Sequence, residues 1–402
     1  MLTAPTYCEI VEASENIRVR CMRTPLVRFN WNPSGADASS VDDVQIWLKL
    51  EMLQPIGSFK CRPAANALAV LLREGGGSAL AILRESGVCT ASAGNFGQGL
   101  AWCCREQGIR CTILAPDSTP STKLEAMKRR GATEIITVPF SEWWTAIETH
   151  QCPQAPAGAR FIHPGAENSV LAGNATIALE ILEDLPDVDA IIAPYGSGAL
   201  CTGIACGVRA LEEKRRVASD RLQPRINVFA AEPATAAPFA ASVAAGTAQR
   251  LREHEHSVSF VDGCGGIAVL NEVWELARHE IDGGFAVPLA AVAAAVRALA
   301  LRNKIVAEGA AACPVAAAMR RRGALSGCKR IVAVVSGGGI DAQKLAHIIS
   351  GGGVPLAGKM AARTRAASDD SYSAGVRRGA AVAAAVALGA WCLAAAYKQK
   401  NR

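Results

Sequence analysis

Several familiar signals are missing from this chain. It has no GxGxxG dinucleotide fingerprint and no Walker loop with its Lys-Ser/Thr pair. It has fourteen cysteines, but no CxxC pair and no Cys/His spacing that resembles a zinc site. The N-terminus shows no charged stretch followed by an apolar one, so no signal peptide is expected. Scattered cysteines, several in apolar runs (Cys103, Cys201, Cys206), read as reduced, mostly buried thiols of an intracellular protein. Histidine is scarce, and His254 and His256 lie between glutamates in a stretch that reads as a solvated loop. Charge is modest at 19%, with no internal repeat and no nucleic-acid motif. Residues 354–402 hold eight Lys/Arg against two acids, which accounts for the whole net charge of +6. Residues 1–353 are therefore neutral, and no basic body that would bind nucleic acid is indicated.

What is present is a large apolar chain of 402 residues, half of them hydrophobic, enough for two or three domains. A repeated strand, glycine turn, helix rhythm predicts an α/β protein. Strands are expected to end near Thr90, Leu114, Val138, Pro194, Ala231 and Val335. Helices are expected over 62–73, 97–107, 121–130, 172–184, 199–212, 288–302 and 311–321.

Four strand ends carry chemistry. Lys60 follows the alternating run Val44–Glu51 and sits in Pro55-Ile56-Gly57-Ser58-Phe59-Lys60. A desolvated lysine there has a depressed pKa and suits a Schiff base with an aldehyde cofactor. Thr90-Ala91-Ser92-Ala93-Gly94-Asn95-Phe96-Gly97-Gln98 leads into a helix. Its small residues and the helix N-terminus favour an anion such as a carboxylate. Gly196-Ser197-Gly198-Ala199-Leu200 lies between a buried strand and a helix, the arrangement that cradles a phosphate. Ser336 ends the apolar strand Ile331–Val335 and begins Ser336-Gly337-Gly338-Gly339, where open α/β sheets bind ligands.

Together these segments resemble the fold-type II pyridoxal-phosphate enzymes, in particular the threonine/serine dehydratase and serine racemase branch. Phe161-Ile162-His163-Pro164, Ala172–Glu180, Val261-Asp262-Gly263 and Ala307–Ala311 also fit, so the resemblance runs from Thr24 to about residue 350. It implies two open twisted sheets flanked by helices, the tryptophan synthase β-like fold, with the site in an interdomain cleft. The large domain would be 1–85 with 164–353, and the small mobile domain 86–163. It implies a homodimer and pyridoxal 5'-phosphate as cofactor. By the same resemblance Lys60 would hold the cofactor and move the Cα proton. Phe59 would pack near the ring, Asn95 would bond its hydroxyl, and Glu308 would lie one layer back from it. The 196–200 loop would hold the phosphate. Ser92, Ala93, Gly94 and Asn95 would bind the substrate carboxylate. Ser336 would face the pyridine nitrogen; a neutral hydroxyl cannot compensate a pyridinium charge, which suits prompt loss of a β-leaving group.

Departures from the family pattern sharpen the reading. Ser197 and Ala199 replace glycines of the phosphate loop. Ser197 can add a hydroxyl donor, whereas Ala199 requires backbone dihedrals that tolerate a side chain. Phe96 stands where a histidine is common, so no histidine is assigned a catalytic role. Ala93 stands where racemases carry a serine base, so racemisation should be weak. Glu232 matches a cation ligand, but Ala234-Thr235-Ala236-Ala237-Pro238-Phe239 supplies no acid beside it, and no metal is expected. The expected reaction is β-elimination from L-threonine, L-serine or both, giving a 2-oxo acid and ammonia. Racemisation, β-replacement, and a membrane-tethered protein that binds the cofactor as sensor or scaffold stay open.

The C-terminal stretch carries a second message. Residues 361–378 read as part of a polar linker (354–378), followed by an uncharged run from Gly379 to Tyr397 with basic flanks. Nineteen residues of helix span about 28 Å, close to a bilayer core. Trp391 and Tyr397 suit an interface, although the run holds ten alanines, which contribute little insertion energy. It reads either as a tail anchor on the cytosolic face of a mitochondrial or peroxisome-type membrane, or as an alanine-rich extension of a cytoplasmic enzyme.

Overall fold

A capping box starts the first helix, Tyr7–Ile17: the Glu9 amide donates to Thr6 Oγ1 (3.3 Å) and the Thr6 amide to Glu9 Oε2 (2.7 Å). The computed structural model describes residues 2–31, 44–218, 224–320 and 323–355. Its ten strands form two sheets. β1 (Leu26–Arg28), β2 (Gln45–Lys49), β7 (Ala190–Pro194), β8 (Asn227–Pro233), β9 (Gly283–Val287) and β10 (Arg330–Val334) make one, in the order β1-β2-β10-β7-β8-β9. Only the edge strand β1 in that sheet runs antiparallel. β3 (Val88–Ala91), β4 (Cys111–Pro116), β5 (Glu134–Val138) and β6 (Arg160–Phe161) make the second, all parallel, in the order β5-β4-β3-β6.

Strands buried on both faces read as unbroken apolar runs, and Ala190–Pro194 and Cys111–Pro116 are wholly buried. One face of the larger sheet (Leu48, Ile192, Ala333) packs on the helices Leu289–Asn303 and Gly309–Arg320. The other (Ile191, Ala230, Val334) packs on Asn168–Asp184 and Ala199–Ala218. In the smaller sheet Val88 and Ile113 cluster with Leu100 and Met127, and Ala91 and Leu114 with Ile147. Among the described residues ten cysteines are buried, Cys103, Cys201 and Cys206 among them, as their apolar surroundings imply.

β10, last in sequence, inserts between β2 and β7. That register brings the segments after β2, β7 and β10 to one edge, the carboxyl ends of parallel strands.

All expected strand ends fall within two residues or so of observed ones. Asn168–Asp184 begins earlier than the expected 172, and Ala199–Ala218 extends past 212. The linker from 356 onward and the apolar run 379–397 lie outside the described residues. Among the described residues no helix is long and apolar enough to cross a membrane.

Candidate active site

Lys60 is fixed from three directions. Its turn is zipped to the loop after β10: the Phe59 amide donates to Ser336 O (3.0 Å) and the Gly338 amide to Gly57 O (3.0 Å). Behind it, Arg62 is fully buried and forks between two carboxylates, reaching Glu51 through Nε (2.8 Å) and Glu180 through Nη1 (2.6 Å). Lys49 joins Glu180 and the Thr24 carbonyl in the same buried network. On the third side the helix Asn95–Gln107 lies so close that a Cβ at Gly99 would stand 2.7 Å from Lys60 O. The Lys60 Nζ itself sits over the rings of Phe59 (4.9 Å) and Phe96 (5.4 Å), with no carboxylate partner among the described residues. Desolvation without compensation lowers its pKa from 10.5 to about 8.

Around this amine lies a cavity of about 310 Å³, in the range of small-molecule sites. Every residue nominated from the sequence reaches it except Ala199. Ala199 instead turns its methyl into the core of the smaller sheet, as the first residue of its helix. Its helical position meets the backbone condition set by losing a glycine. The position that needs glycine is Gly198, with φ of +90° and the Tyr195 hydroxyl 2.6 Å from where a Cβ would stand. The amides of Ser197 and Gly198 find no acceptor among the described residues. The Ser197 side chain lies against Gly165, where a Cβ would be 3.1 Å from its Oγ.

In the loop after β3, Ser92 Oγ accepts from the amides of Gly97 (2.9 Å) and Gly94 (3.3 Å). Ser92 therefore shapes the loop, and the amides of Ala93 and Asn95 are left without acceptors among the described residues. Asn95 Nδ2 donates to Glu308 Oε1 at 3.2 Å, joining the two sheets' loops. Three glycines clear space for that carboxylate: a Cβ at Gly337, Gly339 or Gly263 would fall 2.6, 3.1 or 3.1 Å from its oxygens. Burial, then the Asp262 charge, raises the Glu308 pKa.

The far wall was not foreseen from the sequence. Lys123, Trp143, Trp144, Ile147, His163 and Asp262 line it. Lys123 Nζ bonds Asp262 Oδ2 at 2.8 Å. His163 accepts at Nδ1 from the Gly165 amide (2.9 Å) and the Ala166 amide, and faces Ile147 O through Nε2 (3.2 Å). Burial, helped by His150, lowers its pKa to about 3, so it stays neutral. Ligand atoms of His150, His163 and Glu272 lie within 4.8 Å of one another. Both His163 nitrogens are already engaged, however, so the trio offers no complete donor set for a cation. Glu232 places its carboxylate on the amides of Phe239 (3.1 Å) and Ala240 (3.0 Å) at a helix start.

A half-buried, desolvated amine with no counter-ion among the described residues, open amides at two helix starts and a hydroxyl at a strand end suit a small anionic aldehyde cofactor. Sequence comparison agrees. Residues 20–337 match the family model described as pyridoxal-phosphate dependent enzyme, and the chain belongs to that family. An L-threonine ammonia-lyase of Geobacter sulfurreducens is 34% identical over 351 residues, 86% of this chain and 78% of that protein. Another, from Thermotoga maritima, is 33% identical over 314 residues, 78% of this chain and 72% of that protein. The structure of maize serine racemase superposes with a TM-score of 0.71 at 27% identity, over 87% of this chain and 98% of that one.

The supporting residues left different traces in the sequence. Arg62, two residues past Lys60, is an arginine in an otherwise apolar helix start, which is a legible sign of a buried pair. Its partners Glu51 and Glu180 lie 11 and 118 positions away, and nothing local marks the pairing.

Proposed function

We propose that this chain is a pyridoxal-phosphate-dependent ammonia-lyase that converts L-threonine, L-serine or both into a 2-oxo acid and ammonia. The observation that carries the reading is Lys60, a half-buried, desolvated amine with no counter-ion among the described residues, lining the cavity where four loops meet. The relatives named L-threonine ammonia-lyase support it.

The cofactor, when bound, supplies the electron sink that makes the substrate's Cα proton acidic. This chain's residues do the rest. The open amides of Ser197 and Gly198, at the positive end of a helix, hold the phosphate, with Gly196, Ala199 and Leu200 shaping the loop. Phe59 packs near the ring, Asn95 sits at its hydroxyl and fixes Glu308, and Ser336 faces the pyridine nitrogen. Ser92 sets the loop whose Ala93 and Asn95 amides, beside Gly94, take the substrate carboxylate. Lys60 Nζ, partly neutral near pH 7, takes the proton from Cα. The β-hydroxyl leaves with a proton as water, and hydrolysis of the resulting enamine gives 2-oxobutanoate from threonine or pyruvate from serine. With Ala93 beside the glycine, no second base stands there to return a proton to the opposite face, which argues against racemisation.

Residues 86–163 move as a small domain against 1–85 and 164–353 in this reading, closing on substrate through Lys123–Asp262 and Asn95–Glu308. The working unit is a homodimer. The run 379–397, on its linker 354–378, anchors the enzyme to an organelle membrane. Carbonate extraction of cells expressing the full chain and a chain ending at 353 tests the anchor; equal solubility of both refutes it. Release of 2-oxo acid from L-threonine and L-serine, dependent on Lys60, tests the activity.

A further inference from the structure

We infer that Trp144 is a specificity gate: it limits the group that the site accepts on the substrate's β-carbon and closes off latent room for an aryl substituent. The inference rests on the β-elimination reading and names the substrate class that the gate holds out, the β-arylserines. Trp144 bounds two cavities at once. One is the catalytic cavity; the other, of about 460 Å³, lies beyond it and shares Trp144, Ala268 and Leu270 with the first. The indole, with Ala268 and Leu270, stands between them.

It is held in place from both sides. Nε1 donates to Glu148 Oε1 (2.5 Å), one turn along its own helix Phe140–Thr149. The Arg250 guanidinium covers the ring at 5.4 Å, and Phe140 lies near-parallel to it at 6.2 Å. Arg250 is itself pinned by a β-bridge to Ala268, so the indole joins the helix to the loop across the cavity mouth.

The wall around the gate selects for uncharged groups. Ile147, three residues on, shares a helical face with Trp144, and Trp143 and Leu270 line the same cavity. The cation at this end, Lys123, is neutralised by Asp262. On the catalytic side of the indole, neither a carboxylate nor an ammonium on the β-carbon would meet an unpaired charge at this end among the described residues, the Arg250 guanidinium lying behind the ring. Removing the indole would leave Arg250 facing an aryl group of the substrate in its place.

The test uses the full-length holoenzyme as wild type, Trp144→Ala, Trp144→Leu and Trp144→Phe. kcat/KM is measured on L-threonine, L-serine and L-threo-3-phenylserine. Binding of L-2-aminobutyrate, L-phenylalanine and L-aspartate, which lack the leaving hydroxyl, is measured by quenching of bound-cofactor fluorescence. The phenylserine-to-threonine ratio should rise at least about 10-fold in the Ala and Leu variants, the scale on which apolar pockets discriminate. The Phe variant should stay near wild type, and L-phenylalanine binding should tighten relative to L-2-aminobutyrate in parallel. An unchanged ratio in a folded Ala or Leu variant overturns the inference, as does a wild type that already takes phenylserine as well as threonine. Preferential binding of L-aspartate overturns the uncharged wall. Should no substrate turn over in any variant, the β-elimination reading fails, and the relative binding of L-phenylalanine still decides the gate.

Discussion

Lys60 should titrate near pH 8 in the cofactor-free protein. Burial against Phe59 and Phe96 lowers its pKa from 10.5 to about 8 with no carboxylate to oppose it. At pH 7 about one Lys60 in eleven is then neutral, roughly 300-fold more than for an ordinary lysine. Competitive acylation of the apo protein, with each lysine read by peptide mass spectrometry, gives the midpoint directly. The same interval sets a stability slope. The folded pKa is depressed, so this contribution is present above 10.5 and is lost as pH falls through about 8. Between those values the apo protein should gain on the order of 3 kcal/mol with rising pH, less whatever solvent screening removes. Lys60→Met should lose that slope. A labelling midpoint near 10.5, or equal slopes in both proteins, would refute the argument that Lys60 is desolvated and unpaired.

Gly198→Ala should weaken pyridoxal phosphate binding at least about 10-fold in equilibrium dialysis, since φ of +90° and the Tyr195 hydroxyl both oppose a side chain there. Ala199→Gly, whose methyl points into the core, should leave that affinity within about threefold. Glu51→Gln removes one arm of the buried Arg62 fork and should cost about 3–5 kcal/mol in urea denaturation. A loss below about 1 kcal/mol would mean that the network is not the anchor of the Lys60 segment.

The parts of the fold that were legible are those where burial leaves a local mark. β7 and β10 are read from continuous apolar runs, and the loops that follow them from glycine and serine at a strand end. β9 escaped notice because Gly283 and Gly284 open it and disguise the strand. The helix Phe140–Thr149 is not among the expected ones, although Pro139 and Glu142 mark its start. The site shows the same division. Lys60, Asn95, Gly198 and Ser336 sit in short motifs, each in the segment that follows its own strand. Ala199 belongs to the same contiguous motif, and the chain turns helical at that residue. Glu180 and Asp262 lie in segments that fit the family pattern, but their contacts, like that of Trp144, arise through tertiary packing.

The central claim is lysine-dependent elimination at this site. The full-length protein, loaded with pyridoxal phosphate, should release 2-oxobutanoate from L-threonine or pyruvate from L-serine, with ammonia in equal amount. Lys60→Ala should bind the cofactor without releasing either product. Cofactor bound through Lys60 with no 2-oxo acid from any hydroxy amino acid would contradict the account.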